Sequence, residues 1–281
     1  MIPVSKVINN YPNIANFFTE EWFVSELKKD HKNIHLLAKQ LTFNENSKSS
    51  FVYFDHVERC LNELKDNITG HENHFKALKH KERYFGLLAE LEIGLMIKNM
   101  DFEFDFEPPL SKKSSDIKIT NSETEIFIEV STKKGLSFKE KEKVGNSCTI
   151  NEFETRSPEK FKGKIIKESE QLSKTDPGIF ALVIEPSSIP EIESIKYAFG
   201  FSRLWGKYIE PGINPSEKVK KSVSALLIYC NYTAINDENN CFCRKEDSFL
   251  CVNPLAEFQL PTSVIHKFET YGTEIIVPYL L

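Results

Sequence analysis

The sequence predicts an α/β protein with a mixed central β-sheet flanked by helices and a helical region before it. Three observations predict this class. Apolar residues recur at helical spacing through the first eighty residues. A long apolar helix is then followed by short strands of alternating polarity, and two continuous apolar runs of strand length come later. We therefore divide the chain into an N-terminal helical region, residues 1–80, and an α/β domain, residues 81–281.

The N-terminal region contains three stretches with the periodicity of amphipathic helices. Phe18 and Trp22 belong to the first, residues 34–41 form the second, and residues 52–64 form the third. These helices are either a separate subdomain or a layer packed on the α/β core, and the sequence leaves both arrangements open.

The α/β domain begins with a helix at 84–100 that is apolar almost all round, which is typical of a buried helix. Strict alternation at 101–106, before two prolines, predicts the first strand. A second strand at 116–119 and a third at 125–130 are separated by a turn. This order predicts a hairpin.

Further elements follow the hairpin. Residues 133–154 are charged and resemble a loop, and residues 158–173 are expected to form a helix with Ser157 as its N-cap. The apolar runs at 178–185 and 223–232 are typical of buried central strands. Shorter strands are expected at 249–252 and 273–277.

Composition excludes several classes of protein. A chain of 281 residues can bury roughly three quarters of its surface without disulfides. Its 40% hydrophobic and 27% charged residues are inconsistent with a disordered chain, a collagen or a coiled-coil rod. No segment has the length and apolarity of a membrane span or a signal peptide, so we expect a cytoplasmic protein with no membrane partner.

The six cysteines predict free thiols in a reducing compartment. Cys241 and Cys243 are one residue apart, which is not the spacing of a zinc site.

The net charge of −5 does not favour general nucleic-acid binding, so such binding would need a local basic patch. Residues 131–167 supply one, with ten basic and five acidic side chains. The alternative is an ordinary solvated face.

Two carboxylates are predicted to meet in the hairpin. Asp116 opens the second strand, and Glu129 closes the third, where a carboxylate on an apolar strand needs a partner or a metal. Together they suit Mg²⁺ or Mn²⁺, which one or two carboxylates commonly hold with water and phosphate oxygens.

The buried helix contributes a third acid. Glu90 and Glu92 lie on different faces of it, because two residues correspond to a 200° rotation. Gly86 and Gly94 flank Glu90 at four-residue spacing and allow another group to approach closely, so we prefer Glu90 as the functional acid. The alternative for either glutamate is a buried salt bridge to a lysine.

The order of these residues resembles the PD-(D/E)XK, or restriction-endonuclease-like, nuclease superfamily. The motifs are Ala89-Glu90-Leu91, Ser115-Asp116-Ile117 and Ile128-Glu129-Val130, with Gln171 in the following helix. The resemblance covers roughly residues 82–260 and leaves out the N-terminal helices.

The resemblance implies Mg²⁺- or Mn²⁺-dependent hydrolysis of phosphodiester bonds in DNA or RNA. Asp116, Glu129 and the Val130 carbonyl would hold the metal, and Glu90 would hold a second ion or a metal-bound water. Contacts to the phosphate backbone would come from four side chains: Lys134, Lys160, Lys164 and Gln171. Cleavage of both strands of a duplex would favour a homodimer.

One departure from the family pattern bears on activity. Ser131 stands where the family has a lysine that orients the attacking water. Lys118 on the second strand, or Lys133 if the third strand continues, can take this role, and Lys98 is a poorer candidate. The alternative is a nuclease-fold protein that no longer cuts and serves as a nucleic-acid-binding or scaffold module.

Overall fold

The computed structural model describes residues 1–43, 48–106, 115–122, 124–134, 171–173, 175–185, 223–236 and 241–276. The protein is α/β, with a seven-stranded mixed sheet, as the sequence predicts. It divides into two compact units. The first comprises Met1–Met96 and Thr233–Lys245, and the second comprises Ile97–Tyr232 and Glu246–Leu281.

Residues Met1–Met96 of the first unit are mainly helical, which confirms the helical character predicted for the first eighty residues. In chain order they are α1 (Val4–Asn10), α2 (Pro12–Phe17), α3 (Glu20–Leu27), α4 (Leu36–Lys39), α5 (Lys48–Glu63), α6 (Lys65–Ile68), α7 (Glu72–Phe75) and α8 (Lys81–Asn99). The boundary expected after residue 80 coincides with the start of α8, and the compact unit continues along α8 to Met96. Large aromatic side chains fill its interior: Phe18, Phe23, Phe54, Phe75 and Tyr84.

Short helices in this unit depend on side-chain caps. Thr19 accepts a hydrogen bond from the Trp22 N–H at the start of α3. The Glu58 carboxylate accepts from the backbone N–H groups of Asn13 and Ile14 in the first turn of α2. A carboxylate there also complements the positive end of the helix dipole.

His35 is the buried N-cap of α4, and both of its ring nitrogens form hydrogen bonds. Nε2 lies 2.9 Å from the Leu78 carbonyl oxygen, and Nδ1 accepts from the Leu37 N–H at 3.2 Å. A carbonyl can only accept, so Nε2 carries the hydrogen and the ring is neutral. Burial lowers the pKa of His35 to about 4, although the hydrogen bond to Leu78 opposes this shift.

The sheet has the strand order β1-β2-β3-β4-β5-β6-β7. The strands are β1 (Glu103–Phe106), β2 (Ile117–Thr120), β3 (Glu125–Lys134), β4 (Gly178–Glu185), β5 (Ala225–Asn236), β6 (Cys241–Val252) and β7 (Glu274–Ile276). The first three form an antiparallel meander, whereas β3, β4 and β5 run parallel to one another. Every described strand overlaps a predicted one, but β6 begins eight residues earlier than predicted and β5 ends four residues later than predicted.

The sequence places the end of β3 too early. The structure extends β3 to Lys134, because it pairs with the buried strand β4 through the partners Lys134 and Glu185. The expectation that Glu129 closes the strand is therefore wrong, as is the expectation of a loop from Lys133. Glu129 lies in the middle of β3.

Helix α9 (Thr262–Tyr271) is not predicted by the sequence analysis. It follows Pro261 and ends at Gly272, which adopts a left-handed conformation with φ of 101°. Val264 and Phe268 form its buried face.

An apolar cluster lies on one face of the central strands. Phe180 and Leu182 of β4 pack there with Leu226 of β5 and with Leu172, which precedes β4. Parallel partners share a face of the sheet, so Glu129, opposite Phe180, is on this apolar face. Cys60, Cys230 and Cys251 are buried free thiols, as expected.

Within the described residues, no helix combines the length and apolar character that crossing a bilayer requires.

Candidate carboxylate site

The candidate site lies where the pairing of β2 with β3 ends. The last paired residues are Ile117 and Ile128. Asp116 therefore comes one residue before β2, and Glu129 is the first residue of β3 beyond the hairpin pairing. The short β2 and the long β3 place both acids at this step in the sheet, as predicted from the sequence.

Asp116 is bound to β3 through both its backbone and its side chain. Its N–H donates to the Ile128 carbonyl at 3.1 Å, and its Oδ2 accepts from the Val130 N–H at 2.7 Å. These bonds bracket Glu129 along the strand. The two bonds hold Asp116 beside the position of Glu129 on β3.

Glu129 is buried, with only 4% of its surface exposed. Gln171 donates from Nε2 to Glu129 Oε1 at 2.6 Å. The same glutamine is held at its backbone, because the Ser115 hydroxyl donates to the Gln171 carbonyl at 3.3 Å. Three separate segments of the chain therefore meet at the carboxylates.

The Gln171 amide donates a hydrogen bond to Glu129. The contact with substrate phosphate that the resemblance implies for Gln171 stays a prediction. The helix predicted at 158–173 lies outside the described residues up to residue 170, and its expected end is wrong, because residues 172–173 are not helical. Ser115, which precedes Asp116 in the motif, is buried and also belongs to the site through its bond to the Gln171 carbonyl.

The candidate lysines differ in placement. Lys118 shares a sheet face with Asp116, but its Nζ lies 3.7 Å from Glu125 Oε1, near the turn of the hairpin. Strand β3 continues far enough for Lys133 to occupy a position on the same face as Glu129 and Ser131. Ser131 itself is buried, with 5% exposure.

Glu90 belongs to the first unit and is buried there against a histidine. Its Oε2 lies 2.6 Å from His74 Nε2, and the two side chains are 11% and 9% exposed. Glu92 forms a parallel arrangement on the same helix, with its Oε1 2.7 Å from His56 Nε2. The partners are histidines rather than the lysines considered in the sequence analysis.

The predicted phosphate-contacting residues Lys160 and Lys164 lie outside the described residues, and of Lys133 and Lys134 only the backbone is described. The prediction that they contact nucleic acid stays a prediction.

The donor atoms at the carboxylate site suit a hard cation. In the parts of the chain that the structure describes, no group of three or more His, Cys, Asp or Glu side chains is arranged around a metal position. Mg²⁺ does not need such a group, because it usually takes one or two carboxylates and completes its shell with water and substrate oxygens. Asp116, Glu129 and the Val130 carbonyl offer that donor set, and oxygen donors favour Mg²⁺ or Mn²⁺ over zinc.

No protein-family model matches the chain, and comparison with curated proteins and with solved structures found no match.

Proposed function

We propose that the second unit is a metal-dependent nuclease with a restriction-endonuclease-like core, which hydrolyses phosphodiester bonds of DNA or RNA. The observation that carries the proposal is the meeting of Asp116 and Glu129 where β2 pairing ends, with Gln171 bound to the second carboxylate. An antiparallel meander followed by a parallel fourth strand also agrees with the order of elements on which the resemblance rests.

Asp116, Glu129 and the Val130 carbonyl would hold Mg²⁺ or Mn²⁺. Such an ion, when bound, lowers the pKa of a water and offsets the negative charge that develops on the phosphate. The burial of Glu129 strengthens its electrostatic interaction with a cation, because the local dielectric constant is lower than in water.

The remaining roles fall to basic side chains. Lys133 would orient the attacking water, since its position on β3 shares a face with Glu129, while Lys118 is engaged by Glu125. Lys134, Lys160 and Lys164 would bind backbone phosphates, which gives affinity without sequence preference. Glu90 lies in the first unit, bound to His74, and the metal-binding role that the resemblance implies for it stays a prediction.

A second candidate function follows from Ser131. A buried serine at the family's lysine position favours a nuclease-fold protein that binds nucleic acid or a protein partner without cutting. The two candidates differ in their need for metal, because binding by an inactive module should persist in a chelator.

Cleavage assays on purified protein test the proposal. Single- and double-stranded DNA and RNA are incubated with Mn²⁺, with Mg²⁺ and with chelator, using the parent and Asp116→Asn prepared identically. Metal-dependent cleavage by the parent alone supports the nuclease. Equal cleavage by both preparations, or nucleic-acid binding in chelator without cleavage by the parent under any condition, contradicts it.

A further inference from the structure

The hydrogen bond between Gln171 and Glu129 joins residues 42 positions apart in the chain. Glu129 lies in the middle of β3, on the apolar face of the sheet, and Gln171 lies in the segment that precedes β4, which begins at Gly178. A buried carboxylate needs hydrogen-bond donors, and the amide at 2.6 Å from Oε1 constrains the direction of that oxygen.

Gln171 is itself held in place from two sides. The Ser115 hydroxyl donates to its backbone carbonyl. The next residue, Leu172, packs in the apolar cluster with Phe180, which is the β4 partner of Glu129. The glutamine backbone is therefore positioned by the same sheet register that positions the glutamate.

The chemistry of an amide suits this place. A lysine or arginine donor would neutralise Glu129 and compete with a cation for it. The glutamine amide fixes the orientation of one carboxylate oxygen and leaves the negative charge of the group intact. Partners of this kind, which bond to a metal-binding side chain rather than to the metal, typically contribute 10–100-fold to affinity.

We propose that Gln171 is a positioning residue that orients Glu129 for binding a divalent metal. This inference rests on the proposed nuclease function, because it assumes that Glu129 is a ligand. It assigns Gln171 a role through Glu129, distinct from the contact with substrate phosphate that the resemblance implies.

The test is calorimetric titration of Mn²⁺ into the full-length parent and three variants, without nucleic acid. Gln171→Leu and Gln171→Ala remove the donor, and we expect both to weaken Mn²⁺ binding by about 10–100-fold. Gln171→His keeps an N–H donor at a similar reach from the backbone and is expected to bind Mn²⁺ nearly as the parent does. Melting temperatures of the metal-free proteins are recorded in parallel.

The outcomes separate this inference from the proposed function. Parent-like Mn²⁺ affinity in Gln171→Leu and Gln171→Ala would overturn the positioning role while leaving the nuclease proposal intact, even if both melt earlier. A Gln171→His variant as weak as Gln171→Leu would also overturn it, because the donor would then be irrelevant. Absence of Mn²⁺ binding by the parent would overturn both.

Discussion

The Asp116 carboxylate accepts a hydrogen bond from the backbone N–H of Val130, at 2.7 Å from nitrogen to Oδ2. This bond attaches the start of β2 to the residue that follows Glu129. It makes Asp116 both a candidate metal ligand and a structural acceptor, and a variant that tests its function must separate the two roles.

Asp116→Asn is expected to lower the cleavage rate by about 10²-fold or more, because it removes the charge that binds a cation. It keeps a side-chain oxygen that can accept from Val130, so its melting temperature should stay close to that of the parent. Asp116→Ala loses both and should also melt earlier. The measurements are initial cleavage rates and thermal denaturation. Parent-like cleavage by Asp116→Asn would contradict the assignment.

Lys133→Ala is expected to lower the cleavage rate at saturating nucleic acid by about 10²-fold, the scale of a lost acid–base or electrostatic group. Lys118→Ala should have little effect, since Lys118 is engaged by Glu125. A large loss in Lys118→Ala with none in Lys133→Ala would reverse the assignment.

Glu90 and Glu92 form a matched pair on α8, each bound to a histidine. We expect Glu90→Gln and Glu92→Gln both to lower the melting temperature, because each weakens a buried charge-assisted hydrogen bond. Reduced Mn²⁺-dependent cleavage in Glu90→Gln alone would support the metal-binding role that the resemblance implies for Glu90. If the two variants cleave equally well, Glu90 is a structural residue and has no part in metal binding.

The neutral, buried His35 makes the folded state sensitive to acid. Its pKa is lowered to about 4, whereas the unfolded chain has the ordinary value near 6.5. Between pH 4 and pH 6.5 the unfolded state binds more protons than the folded state. The contribution of His35 to the free energy of unfolding is therefore complete above pH 6.5 and is lost as the pH falls towards 4. The full loss is about 3 kcal/mol in the free energy of unfolding.

Chemical denaturation of the parent and His35→Asn across this pH range measures the effect. Asparagine does not titrate and offers an oxygen to cap Leu37. The stability advantage of the parent should shrink as the pH falls from 6.5 to 4. Two curves that stay parallel would show that His35 is not the titrating group.

Much of the fold can be predicted from the sequence, because strand and helix periodicities depend on local polarity. Strands β1, β2 and β4 and helix α8 carry clear patterns, whereas the start of β6 and the end of β5 were not predicted. The end of β3 carries no clear pattern either, because Lys133 and Lys134 are polar residues kept in the strand by pairing with β4. Pairing between distant segments leaves no local signal.

Contacts between distant segments also explain why the sequence does not predict the partners of the buried glutamates. Asp116 and Glu129 can be brought together from hairpin register alone. The bond from Gln171 to Glu129 depends on where the segment before β4 packs, and the bond from His74 to Glu90 depends on helix packing. Buried carboxylates did predict that partners exist, but the sequence could not identify them.

The most direct test of the central claim is a calorimetric titration of Mn²⁺ into the parent and into the Asp116→Asn/Glu129→Gln double variant, first without and then with nucleic acid. The double variant keeps side-chain acceptors for Val130 and Gln171 and removes both charges. We predict that only the parent binds Mn²⁺. Failure of the parent to bind under either condition, or equal binding by the double variant, would contradict it.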